Sequence, residues 1–106
     1  MAYYIVHAQP NWELLESLRQ RLDSGEIRQM TPFGSALDYS LNPARIEADG
    51  IAVWEEEDYC VPPLAQERAA VLDTYFKGLR VNPVERNKGW QKIDLLPHLW
   101  ANNNTD

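Results

Sequence analysis

Two stretches of this chain are apolar on both of the faces that a strand can offer, and no other feature constrains the fold as much. "AYYIVHA" (2–8) is short, β-branched and aromatic, with no polar alternation before His7, and "IAVWEE" (51–56) repeats the pattern. Alternate side chains of a strand point to opposite faces, so such runs describe central strands covered on both sides. A chain of 106 residues has the usual size of one domain and can bury one genuine core. The expected boundaries are a single α+β domain over 1–100 and a disordered tail over 101–106, "ANNNTD".

Between and after these strands the periodicity changes. Leu14, Leu15, Leu18 and Leu22 fall at helical spacing behind an Asn11 cap and ahead of a Gly25 stop, which predicts a first helix over about 12–24. "ALDYSL" (36–41) alternates Leu37, Tyr39 and Leu41 against Ala36, Asp38 and Ser40, the pattern of an edge strand buried on one face. "ADG" (48–50) offers an Asp-Gly hairpin turn into the second apolar run. Pro62 and Pro63 suit the first turn of a second helix, with Leu64, Arg68, Val71, Leu72, Tyr75, Phe76 and Leu79 as its stripe and Gly78 as its stop. Beyond it the chain offers a short strand near 79–84, one near 90–93, or both.

The resulting order is strand, helix, strand, hairpin, strand, helix, strand. It resembles the split β-α-β plait of ferredoxin-like domains, with two helices on one face of a four-stranded antiparallel sheet. In that plait the first and third strands are central, and here those two lack alternation. The helices would leave one sheet face bare. Small Val6 and Ala8 suit close approach of helices, which turns Tyr3, Ile5 and His7 to the open side; with Ile51 and Val53 facing the helices, Ala52, Trp54 and Glu56 would join them. So apolar a face needs a cover: a second copy, the chain's own "GWQKIDLLPHLW" (89–100), or a ligand. A second copy, as in dimeric α/β barrels, is the expected cover, because two-fold homodimers are the commonest oligomers.

Charge excludes several partners. A net charge of −6 with scattered basic residues argues against nucleic acid and against anionic membrane. No apolar run reaches the length of a membrane span, and the N-terminus lacks the basic start of a secretory signal. The single cysteine, Cys60, cannot form an internal disulfide, in keeping with a cytoplasmic location.

The stretch "VWEEEDYCVPP" (53–63) concentrates the candidate chemistry. Its four acids read first as a solvated strand end placed ahead of a positive helix terminus, with Glu56 the exception because it shares a face with Trp54. A carboxylate beside an imidazole raises the histidine's pKa and fixes its tautomer, and the two central strands can bring Glu56 within reach of His7; the alternative is a half-buried His7 bonded to a carbonyl or water. His7, Tyr39, Trp54 and Glu56 are therefore the candidate ligand-binding residues. Cys60 reads as a small buried thiol with no nucleophile motif around it. Neither metal-ligand spacing nor a phosphate-binding glycine loop is present, so no metal and no cofactor are expected. The function expected is a small acidic protein that self-associates through its sheet and binds a protein or small ligand. The alternative is a dimeric α/β barrel enzyme that moves protons on a small organic molecule around His7. A third class, an accessory subunit, would use the aromatic C-terminal segment as its hook.

Overall fold

The computed structural model describes residues 2–100. The tail expected over 101–106 lies outside the described residues. The fold is α+β, with a four-stranded open sheet whose order is β2-β3-β1-β4 and whose neighbours all pair antiparallel. The strands are β1 (Ala2–Pro10), β2 (Arg45–Ile46), β3 (Ala52–Asp58) and β4 (Phe76–Val84). The helices are α1 (Leu15–Asp23), α2 (Gly34–Leu41), α3 over 65–75 and α4 (Lys88–Ile93). A π-helical segment, Arg68–Leu72, forms the middle of α3. No helix among the described residues is long and apolar enough to cross a membrane.

As expected, β1 and β3 are the two central strands, and both sides of each are covered. The main core joins Val6, Ala8, Ala52 and Trp54 to Leu15, Leu18 and Leu22 of α1, Leu37 and Leu41 of α2, and Val71, Leu72 and Tyr75 of α3. On the opposite face a smaller core forms from Ile5, Val53 and Ile93, with Val84, Trp90 and Leu96 packed against it. The chain's own C-terminal segment therefore covers the inner part of the face that the other three helices leave. It continues along β2, where Ile46 donates to the Pro97 carbonyl at 2.9 Å and Leu99 donates to that of Ala44 at 2.8 Å.

The β3 side chains lie the other way round from the expectation. Val6 pairs with Trp54 and Ala8 with Ala52, and residues directly opposite in an antiparallel pair share a face. Trp54 and Glu56 therefore point into the helical core, and Val53 points away from it. Both residue sets of β3 are apolar enough to be buried, so composition does not set the phase. Size does: the thick helical layer accommodates fully buried Trp54, with Phe76 at 5.2 Å between ring centroids, while the thin layer under α4 accommodates Val53.

The expected edge strand over 36–41 is instead α2. Its buried residues are Gly34, Leu37, Ser40 and Leu41, a helical spacing that a two-residue alternation of leucines cannot be told from over six positions. The edge strand is the two-residue β2 that follows it. The expected second helix also ends early, because Phe76 turns to extended backbone and opens β4. Gly78 (φ +60°) lies inside that strand, beside the register shift between His7 and Gln9, and so marks a bulge and not a helix stop. The strand expected near 90–93 is part of α4.

The start of α2 depends on a missing side chain. Gly34 donates to the Met30 carbonyl at 2.7 Å, and a Cβ there would stand 2.3 Å from the Ile27 carbonyl oxygen and 2.8 Å from that of Arg28. Backbone atoms cannot yield as a side-chain tip would. Gly34→Ala is expected to destabilise the fold by about 2 kcal/mol or more, read as a lower urea midpoint at unchanged slope.

Candidate functional site

Three of the four acids of β3 are inside the protein. Glu55, Glu56 and Asp58 are 3%, 1% and 3% exposed, which overturns the expectation of a solvated strand end. The strand runs on to Asp58 and remains paired with β1 throughout. Its outer edge pairs with β2 only at Ala52 and Val53, and α2 packs against β3. Alternation then sends the acids to two different places.

Glu55 points to the thin layer. Its carboxylate accepts the backbone N–H groups of Asn87 (2.8 Å), Gly89 (2.8 Å) and Trp90 (3.2 Å). These are donors that the first turn of α4 cannot satisfy within the helix. Asn87, the cap residue, holds a left-handed backbone (φ 68°), a conformation asparagine tolerates better than most residues. Gly89 is required by the same contact, since a Cβ would lie 2.8 Å from Glu55 Oε1.

Glu56 and Asp58 point to the other side, where Glu67 of α3 joins them. Trp54 Nε1 donates to Glu56 Oε1 at 2.8 Å. Asp58 Oδ2 accepts the N–H of Leu64 at 2.6 Å and of Cys60 at 3.1 Å. Leu64 again holds a left-handed backbone (φ 64°) just before a helix begins. Its side chain is fully buried, so packing and the Asp58 hydrogen bond together hold a conformation that costs a leucine about 1–2 kcal/mol.

Three carboxyls in one interior cannot all be charged. Burial, reinforced by the charges of Glu67 and Asp58, raises Glu56 well above the usual carboxylate range and outweighs the Trp54 hydrogen bond. Burial and a hydrogen bond to Asp58 push Glu67 up to about 7. Burial would raise Asp58 too, but the Leu64 N–H, the Glu67 carboxyl and the Cys60 N–H outweigh it, and Asp58 is lowered. The proton is thus favoured on Glu56 and Glu67, and the negative charge on Asp58. For Cys60, the N–H of Gln66 favours the thiolate; burial and the nearby Asp58 and Glu67 outweigh it and raise the thiol. That is the reverse of what an activated nucleophile needs.

Two neighbouring clefts open here. One, of about 130 Å³, is walled by Pro32, Phe33 and Ala36 and reaches Asp58, Cys60 and Glu67. The other, of about 150 Å³, lies among Tyr3, Tyr39, Glu57, Arg86 and Trp90. Glu57 and Ala36 line both.

The four residues expected to bind a ligand do not converge. Trp54 and Glu56 are buried under the helices, and His7 lies across from Val53 on the opposite face. Its Nε2 faces Glu47 Oε2 at 3.5 Å, so the carboxylate beside the imidazole is Glu47, not Glu56. Tyr39, 73% exposed, reaches the second cleft. The sequence reading missed Glu67, Glu57 and Arg86. Glu67 sits outside the apolar stripe of α3 and reads as a solvated residue until the fold brings it under β3. The chain matches no protein-family model, no curated protein and no solved structure.

Truncating Glu55 strands three helix-start donors in a covered position. Glu55→Ala is expected to cost about 3 kcal/mol or more, and Glu55→Gln roughly half that because one amide oxygen still accepts. Hydrogen exchange should show protection lost first at Gly89 and Trp90.

Proposed function

We propose that this chain binds a small amphoteric organic molecule, of the free α-amino acid class, on a ferredoxin-like plait. The plait reading is supported by the strand order, by antiparallel pairing throughout, and by helical connections after β1 (α1 and α2) and after β3 (α3). The ligand reading rests on one observation. Arg86 stacks over Tyr3 at 5.9 Å and makes no ion pair with a carboxylate among the described residues, although its cleft also holds Glu57. A guanidinium presents a planar fork that suits a ligand carboxylate, and Glu57 offers the opposite charge to an ammonium group. Tyr3, Tyr39 and Trp90 supply the apolar and cation-attracting walls of a small-molecule site.

In this reading the C-terminal segment, and not a second copy, covers the sheet. A homodimer would have to meet on what that segment leaves, which includes Tyr3, His7 and β4. A dimeric α/β barrel would have to displace the segment from Ile5 and Val53. The second reading, proton-transfer chemistry at His7, draws support from the Glu47 carboxylate beside the imidazole. It belongs to a different place, since His7 lies four residues, about 13 Å, along β1 from Tyr3.

Calorimetric titration with leucine and phenylalanine, beside their N-acetyl and amide forms, tests the proposal. The free amino acids should bind, the blocked forms should not, and Arg86→Ala should weaken binding at least about tenfold, or 1.4 kcal/mol. His7→Ala should leave it unchanged. Equal binding of blocked and free forms, or indifference to Arg86→Ala, would overturn it.

A further inference from the structure

The second cleft's neighbour is built differently. One carboxylate oxygen each from Asp58 and Glu67 and the sulfur of Cys60 lie within 4.8 Å of one another. Asp58 and Cys60 come from the end of β3 and the loop directly after it, and Glu67 from the first turn of α3, so two backbone stretches converge on one point. Acids and a lone thiol gathered in this way are common without any ligand, and the cluster alone would mean little. The informative atom is Glu67 Oε1. Glu67 is 1% exposed, this oxygen has no hydrogen-bonding partner among the described residues, and the side chain lines the cleft that also touches Asp58 and Cys60. A buried oxygen left without a donor is an exception to how proteins satisfy their interiors, and here it belongs to a side chain that lines a space large enough for an ion.

The surroundings match what a cation site requires behind its ligands. Metal-binding carboxylates are held by hydrogen bonds to their other oxygen. Asp58 has Oδ2 fixed by the N–H groups of Leu64 and Cys60, and the Glu67 carboxyl hydrogen-bonds to Asp58 through a proton that a bound cation would displace. Behind Glu67 stands Glu56, itself anchored by Trp54 Nε1. Two backbone hydrogen bonds thus orient the Asp58 carboxylate, and a third fixes Glu56 beside Glu67.

We propose that Asp58, Cys60 and Glu67 are the ligands of a divalent cation of the zinc class, with a further coordination position open to the cleft beside Phe33 and Gln66. The sulfur decides the class. Calcium and magnesium take sets made wholly of oxygen, whereas zinc and cobalt accept thiolate together with carboxylate. Three protein ligands and one open position are the arrangement of zinc sites that admit a water or a small molecule, as distinct from closed structural sites. The spacing of these residues matches no metal motif in the sequence; it is the fold that assembles them. This inference does not depend on the amino-acid reading of the adjoining cleft.

Cobalt(II) titration of the whole chain provides the test, because a cobalt–thiolate bond gives a charge-transfer band in the near ultraviolet. One equivalent should produce that band, and zinc should displace it. Cys60→Ser should abolish the band, and Glu67→Gln should weaken cobalt binding at least about tenfold. Glu16→Gln, which alters an exposed acid of α1 outside both clefts, should leave binding unchanged. Arg86→Ala should retain the band, which separates this site from the amino-acid cleft. No band in the wild-type chain would overturn the proposal, whatever the variants do. So would a band that survives Cys60→Ser, or equal affinity in the wild type and Glu67→Gln.

Discussion

A carboxylate of β3 that accepts the backbone N–H of a left-handed residue is the contact on which this structure depends, and it occurs twice. Glu55 takes the N–H of Asn87 on one side of the sheet, and Asp58 takes that of Leu64 on the other. Each of these residues stands immediately before a helix. A helix start leaves several N–H groups without internal partners, and a negative charge placed there is favoured by the aligned peptide dipoles as well. The central strand thus sets where a helix begins in each of the layers that enclose it. Neither helix is long: α4 has six residues, too few to be stable alone, so its position derives from the strand.

The arrangement explains how a sheet can hold so many acids in its interior. Glu55 spends its charge on three backbone donors. Asp58 spends its own on two, and burial first, with the neighbouring acids second, raises Glu56 and Glu67 above the usual carboxylate range. The acids of "EEED" are therefore not equivalent, and no argument from local composition could rank them. Glu57, the one that remains partly exposed, faces solvent-accessible clefts and is bonded to the Tyr59 hydroxyl at 2.7 Å.

How far the sequence could be read follows from where its information is local. The two runs without alternation announced central strands, and Leu15, Leu18 and Leu22 announced α1, because each pattern exceeds what the competing periodicity can mimic. "ALDYSL" is too short for that, and Leu37 and Leu41 suit a helix as well as a strand. The candidate site was lost at one step. Whether Trp54 faces the helices or the open side depends on how β3 aligns with β1, and a shift of one residue exchanges the faces. With the faces exchanged, His7 seemed to meet Glu56. Only Tyr39 of the expected set reaches a cleft of the proposed site, and it does so from a helix instead of a strand. Glu67 and Arg86 carried no local signal, since each acquires its surroundings from segments distant in the chain.

The C-terminal segment does more than cover the thin layer. After Ile93 has packed against Ile5 and Val53, the chain runs beside β2, and Trp100 then donates to the Leu41 carbonyl at 2.7 Å under the Arg19 guanidinium. It passes from one side of the sheet around its short edge to the other, and so acts as a clasp between layers that otherwise meet only through the sheet. This bears on how the molecule is made. Chains emerge from the ribosome beginning with the N-terminus, so the surface bearing Ile5 exists well before residues 90–96 arrive to shield it. For that interval the nascent sheet is greasy on one side, and its solubility rests on whatever holds it until the clasp is synthesised.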